Sequence, residues 1–256
     1  MPPTADATTR LKSVRKRIRQ LLSRAPLLYE VGAILRLIWS RLTYSGGDAI
    51  AAIQLIPSEQ GLALDIGAYR GRSAIKIAAL KPNFEIISFE PNRRCRFALQ
   101  LVRIMLGKRF RFKSAGLSDE RAEATYYEPF LNFLPVSAEG SFLRDNLDEE
   151  MEERLGKDYE VKQRTFQLLC LDDLQLSPDF IKIDVQGWEL NVLRGAHETL
   201  VRSRPVVVIE RNRHNEQETA RYLEELGYDR LSGGELFQHG LFDAAGDNVF
   251  VPRAAC

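Results

Sequence analysis

Leu62-Ala63-Leu64-Asp65-Ile66-Gly67-Ala68-Tyr69-Arg70-Gly71 is an apolar run that ends in an acid and passes through two glycines, four apart, into a helical pattern. It reads as a buried parallel strand turning tightly into a helix. Such a turn needs residues without a Cβ where the backbone bends and where a ligand lies against it. Nineteen residues beyond Gly71 stands Glu90, in Phe89-Glu90-Pro91 at the end of the next apolar run. A carboxylate about 20 residues on, at the tip of the second strand, is the usual partner of ribose hydroxyls in such units. The G-x-G-x-x-G of dinucleotide sites is missing. An acid at the strand end and only two glycines favour a cofactor with no pyrophosphate, and S-adenosylmethionine is the leading candidate.

Outward from this unit, strands and helices alternate. Strands are expected at 62–66, 85–89 and 109–114, with helices at about 72–80 and 93–106 between them. The rhythm returns with strands at 165–169, 180–184 and 205–210, a helix from about 189 to 201, and a helix that stops at Gly227. This predicts right-handed crossovers and a mostly parallel sheet. Short strands near 228–231, 235–237 and 249–251 close the chain. Between Ser118 and Arg164 the rhythm is lost: a short strand near 124–127, an irregular part with Pro129, Pro135 and Gly140, and a charged helical run from Asp145 to Gly156. An insertion of this length, about 119–164, reads as a lid or acceptor-specificity element.

Four apolar strands each end in an acid: Asp65, Glu90, Asp184 and Glu210. Ligands of open α/β sheets bind beyond the carboxyl ends of the strands, so the four acids should converge on one rim. A crowded acidic rim suits a ligand that is cationic, hydroxyl-rich or accompanied by a metal ion. A sulfonium cofactor with a sugar ring meets the first two descriptions.

In order along the chain come Leu64-Asp65-Ile66-Gly67-Ala68, Phe89-Glu90-Pro91, Gly116-Leu117-Ser118-Asp119, Leu171-Asp172-Asp173-Leu174, and Phe180-Ile181-Lys182-Ile183-Asp184-Val185-Gln186-Gly187-Trp188-Glu189 with Val192-Leu193-Arg194-Gly195-Ala196. This series resembles the FkbM family of S-adenosylmethionine-dependent methyltransferases over about residues 62–210, with a weaker echo at Asn248–Pro252. The resemblance implies a class I methyltransferase (Rossmann-like) α/β fold: seven strands, the last hairpin antiparallel, with helices on both faces. It also implies methyl transfer to oxygen, often a sugar hydroxyl of a glycan, glycolipid or polyketide-type product. Two positions depart from the family pattern. Tyr69 stands where the family usually has Asn, and Gln186 where it usually has Glu.

Methyl transfer from a sulfonium is an in-line attack, so donor and acceptor must be held in line and a hydroxyl proton removed. Gly67, Ala68 and Gly71 are expected to admit the cofactor to the backbone, and Asp65 to face its amino-acid end or an ordered water. Glu90, with Pro91 beside it, should take the ribose hydroxyls, and Leu117 and Asp119 neighbour the adenine. For the base, Asp184 is the first choice, with Glu189 one helical turn later and Glu210 on the adjacent strand tip. A free carboxylate is a weak base for an alcohol. The options are therefore a pKa raised by mutual repulsion or a divalent ion held by Asp184 and Glu210. His214 could be base, ligand or simply solvated. His197 and His239 read as structural. Lys182 either snorkels or pairs with an acid, and Trp188 is either a sugar-stacking platform or core.

The 256 residues divide most simply into a helical extension, 1–57, and one domain, 58–256. A net charge of +1 gives no global hint of a nucleic-acid partner. Residues 1–45 nevertheless hold nine Lys/Arg against two acids, a local +7 that leaves −6 for the rest. Leu11, Val14, Ile18, Leu21, Leu22 and Ala25 recur at helical spacing among these cations until Pro26. Residues 10–25 therefore form either a basic amphipathic helix on an anionic membrane surface or one that packs on the domain. Cys95, Cys170 and Cys256 show no C-x-x-C, so reduced thiols are expected. With no signal peptide or membrane span read, the expected location is cytoplasmic, free or peripheral to the membrane's inner face. The alternative function is a noncatalytic adaptor with this fold, docking through its basic N-terminus. Methylation of RNA lacks an aromatic-interleaved basic patch or an Asn/Asp-Pro-Pro-aromatic site.

Overall fold

The computed structural model describes residues 48–131, 134–135, 140–142, 144, 159–212, 215–238 and 247–253, together with Gly32, Leu35, Leu37, Trp39 and Thr43. These last five are helical, and Leu37 is buried. The basic segment 10–25, the charged run 145–156, His214 and His239 lie outside the described residues. Asp48 caps a 3-10 helix over Ala49–Leu55 by accepting from Ile50 N.

Seven strands form the main sheet: β1 Gln60–Ile66, β2 Asn83–Phe89, β3 Phe110–Lys113, β8 Phe180–Ile183, β9 Val206–Glu210, β10 Tyr228–Arg230 and β11 Asp247–Pro252. Their order is β10-β11-β9-β8-β1-β2-β3, parallel from β9 to β3, with β11 antiparallel to both of its neighbours. The hairpin at the end is thus the one expected.

Successive strand residues feed two cores on opposite faces, which is why the strands read as continuous apolar runs and not as alternating ones. Val206 and Val208 join the face that holds the 3-10 helix, α1 (Arg72–Leu80) and α2 (Arg96–Leu106). Val207 and Ile209 join the face that holds α3 (Glu189–Arg194), α4 (His197–Ser203) and α5 (Glu216–Glu225).

Two features correct the sequence reading. The helix expected over 189–201 is two helices, because Asp172 reaches in to accept from Glu198 N (3.0 Å) and Thr199 N (2.8 Å) and so starts a second one. Gly195 at the break lies so close to Ser118 that a Cβ would stand 1.9 Å from its carbonyl oxygen. The strand expected at 235–237 is a helix, α6 (Gly233–Gln238), closed by a capping box between Ser232 and Glu235.

The insertion contributes a second sheet, ordered β4-β7-β5-β6, from Gly116–Leu117, Glu160–Leu169, Ala122–Leu131 and Leu134–Pro135. It meets the main sheet's rim at several points, two of them direct hydrogen bonds. Asn92 Nδ2 donates to the buried Glu128 (2.8 Å), and Ser141 Oγ donates to the Gln186 carbonyl (2.7 Å). Among the described residues, no helix is long and apolar enough to cross a membrane.

Candidate active site

The opening turn follows β1 directly. Gly67 N and Ala68 N both donate to Phe89 O, at 3.0 and 3.1 Å. Gly67 and Gly71 have φ of +80° and +82°. A Cβ on Gly67 would lie 1.7 Å from the Asp184 carbonyl oxygen, and one on Gly71 2.9 Å from Val102. Conformation and the neighbouring chain thus demand both glycines, independently of any ligand.

Below the turn, Asp65 is fully buried and accepts from Ser88 Oγ at 3.0 Å; burial raises its pKa. Among the described residues, its Oδ1 accepts nothing. An orphaned buried carboxylate oxygen calls for a donor, and a cofactor ammonium or a water fits it. Glu90, 8% exposed, accepts from Tyr69 N (2.7 Å) and Asn92 N (2.8 Å), which fixes its carboxylate at the tip of β2. Burial, opposed by these two amides, pushes it up to about 7. Pro91 follows it, half-buried. Leu117 is buried in the apolar face of the sheet, and Asp119 accepts from Ser118 Oγ at 2.8 Å.

At the tips of β8 and β9, Asp184 and Glu210 form one unit with Lys182 and Gln186. Lys182, 6% exposed, donates to Asp184 Oδ2 (2.7 Å), so it pairs with an acid. The Gln186 side-chain amide donates to Asp184 Oδ1 (2.9 Å) and to Glu210 Oε2. Burial and the charge of Asp184 push Glu210 up to about 9. Burial also acts to raise Asp184, but Lys182 and the hydrogen bonds from Glu210 and Gln186 outweigh it and hold Asp184 below its ordinary value, so the rise expected from mutual repulsion falls on Glu210 and not on Asp184, the base named first. At neutral pH the pair therefore carries one proton, on Glu210, and one charge, on Asp184.

Glu189 lies elsewhere. It is fully buried, accepting from Gly187 N (3.0 Å), Val185 N (3.3 Å) and Asn215 Nδ2 (2.8 Å). Its carboxylate holds the loop that carries Gln186 and does not face the rim. Trp188 donates Nε1 to Ser118 Oγ (3.1 Å) and packs on Phe142.

A cavity of about 290 Å3 opens between the turn and these strand tips. Gly67, Ala68 and Tyr69 form one wall, and Lys182, Asp184, Glu210 and Asp247 another. Asp247 is absent from the sequence reading. It starts β11, and an antiparallel strand begins where its parallel neighbours end, so it pairs with Glu210 at the rim. Burial pushes it up to about 6. Asp48 and Lys76, themselves ion-paired, complete the cavity's mouth with Arg70 and Arg72.

The sequence profile of the Methyltransferase FkbM domain matches residues 65–230. The chain belongs to the FkbM methyltransferase family. Its sheet is that of a class I methyltransferase dependent on S-adenosylmethionine. Among solved structures it is similar to an FkbM methyltransferase of Methylobacillus flagellatus, with 17% identity and a TM-score of 0.44, over 79% of this chain and 47% of that one. The chain thus spans about half the length of that protein. It is also similar to a precorrin-6y C5,15-methyltransferase of Geobacter metallireducens, with 15% identity and a TM-score of 0.42, over 79% and 85% of the two chains. A third similar structure is a 1,6-didemethyltoxoflavin-N1-methyltransferase of Burkholderia thailandensis, with bound 1,6-didemethyltoxoflavin and S-adenosylhomocysteine. There the identity is 14%, the TM-score 0.39, and the coverage 93% and 88%. No curated protein sequence matches the chain.

Both departures from the FkbM pattern sit in left-handed backbone: Tyr69 has φ 47° and Gln186 φ 54°. Asn enters that region more readily than Tyr does, which accounts for the family's usual residue at the first position. At the second, Gln supplies the amide that bridges two carboxylates. Among the described residues, no group of three His, Cys, Asp or Glu side chains could hold a metal ion. At the Asp184–Glu210 pair, the Lys182 ammonium already lies on one oxygen of Asp184. The donor set is that of a proton-sharing pair, and no step below runs through a metal.

Proposed function

We propose that the chain methylates an oxygen of a carbohydrate or related hydroxyl-rich molecule, with Asp184 as the proton acceptor. The observation that carries this is the Asp184–Glu210 pair, bridged by the Gln186 amide and held by Lys182, facing a cavity whose opposite wall is the glycine turn. Eight of the cavity's fourteen lining residues are Asp, Glu, Lys or Arg, which suits an acceptor rich in hydroxyls more than a flat apolar one.

S-adenosylmethionine, when bound, supplies an electrophilic methyl on a sulfonium. Gly67 and Ala68 would lie against it, Asp65 would meet its ammonium end, and Glu90 its ribose. Asp184, ionised, would accept the hydrogen bond of the acceptor hydroxyl and take its proton once methylation makes that oxygen strongly acidic, which is why a carboxylate of low pKa suffices. Glu210 donates to Asp184 and keeps its own proton. Lys182 keeps Asp184 ionised before the step. Tyr69 provides an aromatic ring on the cavity wall, with the Arg70 guanidinium 5.3 Å above it.

Incubating the protein with radiolabelled S-adenosylmethionine and a set of mono- and oligosaccharides tests this. Label should appear in an alkali-stable ether and vanish in Asp184→Asn. Label on nitrogen or carbon, or full activity of Asp184→Asn, would overturn the proposal.

A further inference from the structure

From Pro91 to Ser118 the chain carries eight Lys/Arg and no Asp or Glu. The centre of this stretch is α2. Its inner face, with Ala98, Leu99, Val102 and Leu106, is buried in the core. A surface helix ordinarily turns polar side chains outward. Here the outward positions i, i+4 and i+7 are Phe97, Leu101 and Ile104. Phe97 is 65% and Ile104 78% exposed, and with Met105 they make up half of the large exposed hydrophobic residues among those described. Arg96 and Arg103, both exposed, flank the stripe on one side, and the exposed Lys108 follows the helix's C-terminal end. Among these cations Arg94 pairs with Glu128, Arg111 with Glu85, and Arg109 donates to the Pro82 carbonyl.

We infer that the α2 face docks on the surface of an anionic lipid bilayer. Apolar side chains at the centre with cations at the flank are what a helix needs to enter the headgroup region while its charges meet anionic lipid. A nucleic acid would engage the cations and could stack one base on Phe97, but would leave Leu101, Ile104 and Met105 unused. A second copy of this chain would bring a flank of like charge toward Arg96 and Arg103. The helix starts just past Glu90 and Pro91, so Phe97 lies nearest the rim and the docked helix sets the cofactor rim beside the membrane. The inference is independent of residues 10–25 and of the identity of the acceptor.

Cosedimentation of the full chain with vesicles tests it, using phosphatidylcholine alone and phosphatidylcholine with about 30% phosphatidylglycerol, at about 0.1 M salt. Binding to the anionic vesicles is expected, with little to the neutral ones. Phe97→Ser with Ile104→Ser should weaken it about tenfold without lowering the melting temperature, since both side chains are solvent-facing. Arg96→Glu with Arg103→Glu should weaken it comparably, and increasingly so as salt is lowered. Three results would overturn the inference. One is no binding to anionic vesicles, and another is binding that the Phe97/Ile104 variant leaves intact. The third is a dimer, seen by analytical ultracentrifugation, that the same variant dissolves.

Discussion

Asp184 and Glu210 end adjacent parallel strands in register, bridged by the Gln186 amide; Lys182 favours the ionised form of Asp184 and burial the protonated form of Glu210, so the pair's proton falls to Glu210. The two carboxyls are therefore not equivalent. A neutral amide mimics the protonated member but not the ionised one. Asp184→Asn should lower kcat for methyl transfer by about 10²–10⁴-fold, whereas Glu210→Gln should lower it less than about tenfold. Steady-state kinetics on both variants checks this, and equal losses would show that the proton is not placed as described.

The same proton makes stability depend on pH. Glu210 ionises near 4.5 in the unfolded chain and near 9 in the folded one, so its contribution is fully present below 4.5 and is lost as pH rises toward about 9. Glu90 and Asp247 add losses that are complete by about 7 and about 6. Thermal melts between pH 7 and 9 isolate Glu210, and Glu210→Gln should flatten the decline there. A decline as steep in the variant as in the parent chain would assign it to other groups.

Gly67 and Gly234 make opposite predictions. Alanine at 67 would have to adopt φ +80° and place its Cβ on the Asp184 carbonyl oxygen, so Gly67→Ala should cost about 3 kcal/mol or more and disturb the strand tip that carries Asp184. Gly234 lies inside α6, exposed, with nothing near a Cβ, so Gly234→Ala should stabilise by about 0.5–1 kcal/mol. Chemical denaturation of the two variants measures both signs.

Asp172 starts α4 from outside it. Asp172→Ala removes the acceptor for two amides and should cost about 1 kcal/mol, visible as a lowered denaturation midpoint, with cofactor binding unchanged.

What the sequence reveals and what it hides divide along the range of the interactions. The glycine turn, the helix over 72–80, and the acids Asp65, Glu90, Asp184 and Glu210 are local patterns with a fixed period, and they lie where the sequence puts them. The break at Gly195 is not local, since it depends on Ser118 and Asp172. Glu189 follows Asp184 closely in sequence, yet Asn215 and the amides of residues 185 and 187 turn it inward. Asp247 reaches the rim only because β11 runs against its neighbour, a direction that strand periodicity does not encode. For α6 the signal is in the sequence: Ser232 and Glu235 at capping-box spacing outweigh the short apolar pair that suggests a strand.

Isothermal titration with S-adenosylmethionine tests the central claim most directly. The carboxylate of Glu90, held by two backbone amides at the strand tip, is the expected ribose partner. The parent chain should bind, and Glu90→Ala should weaken binding about 10- to 100-fold with the protein still folded by circular dichroism. No binding by the parent chain, or equal affinity in Glu90→Ala, would contradict the account.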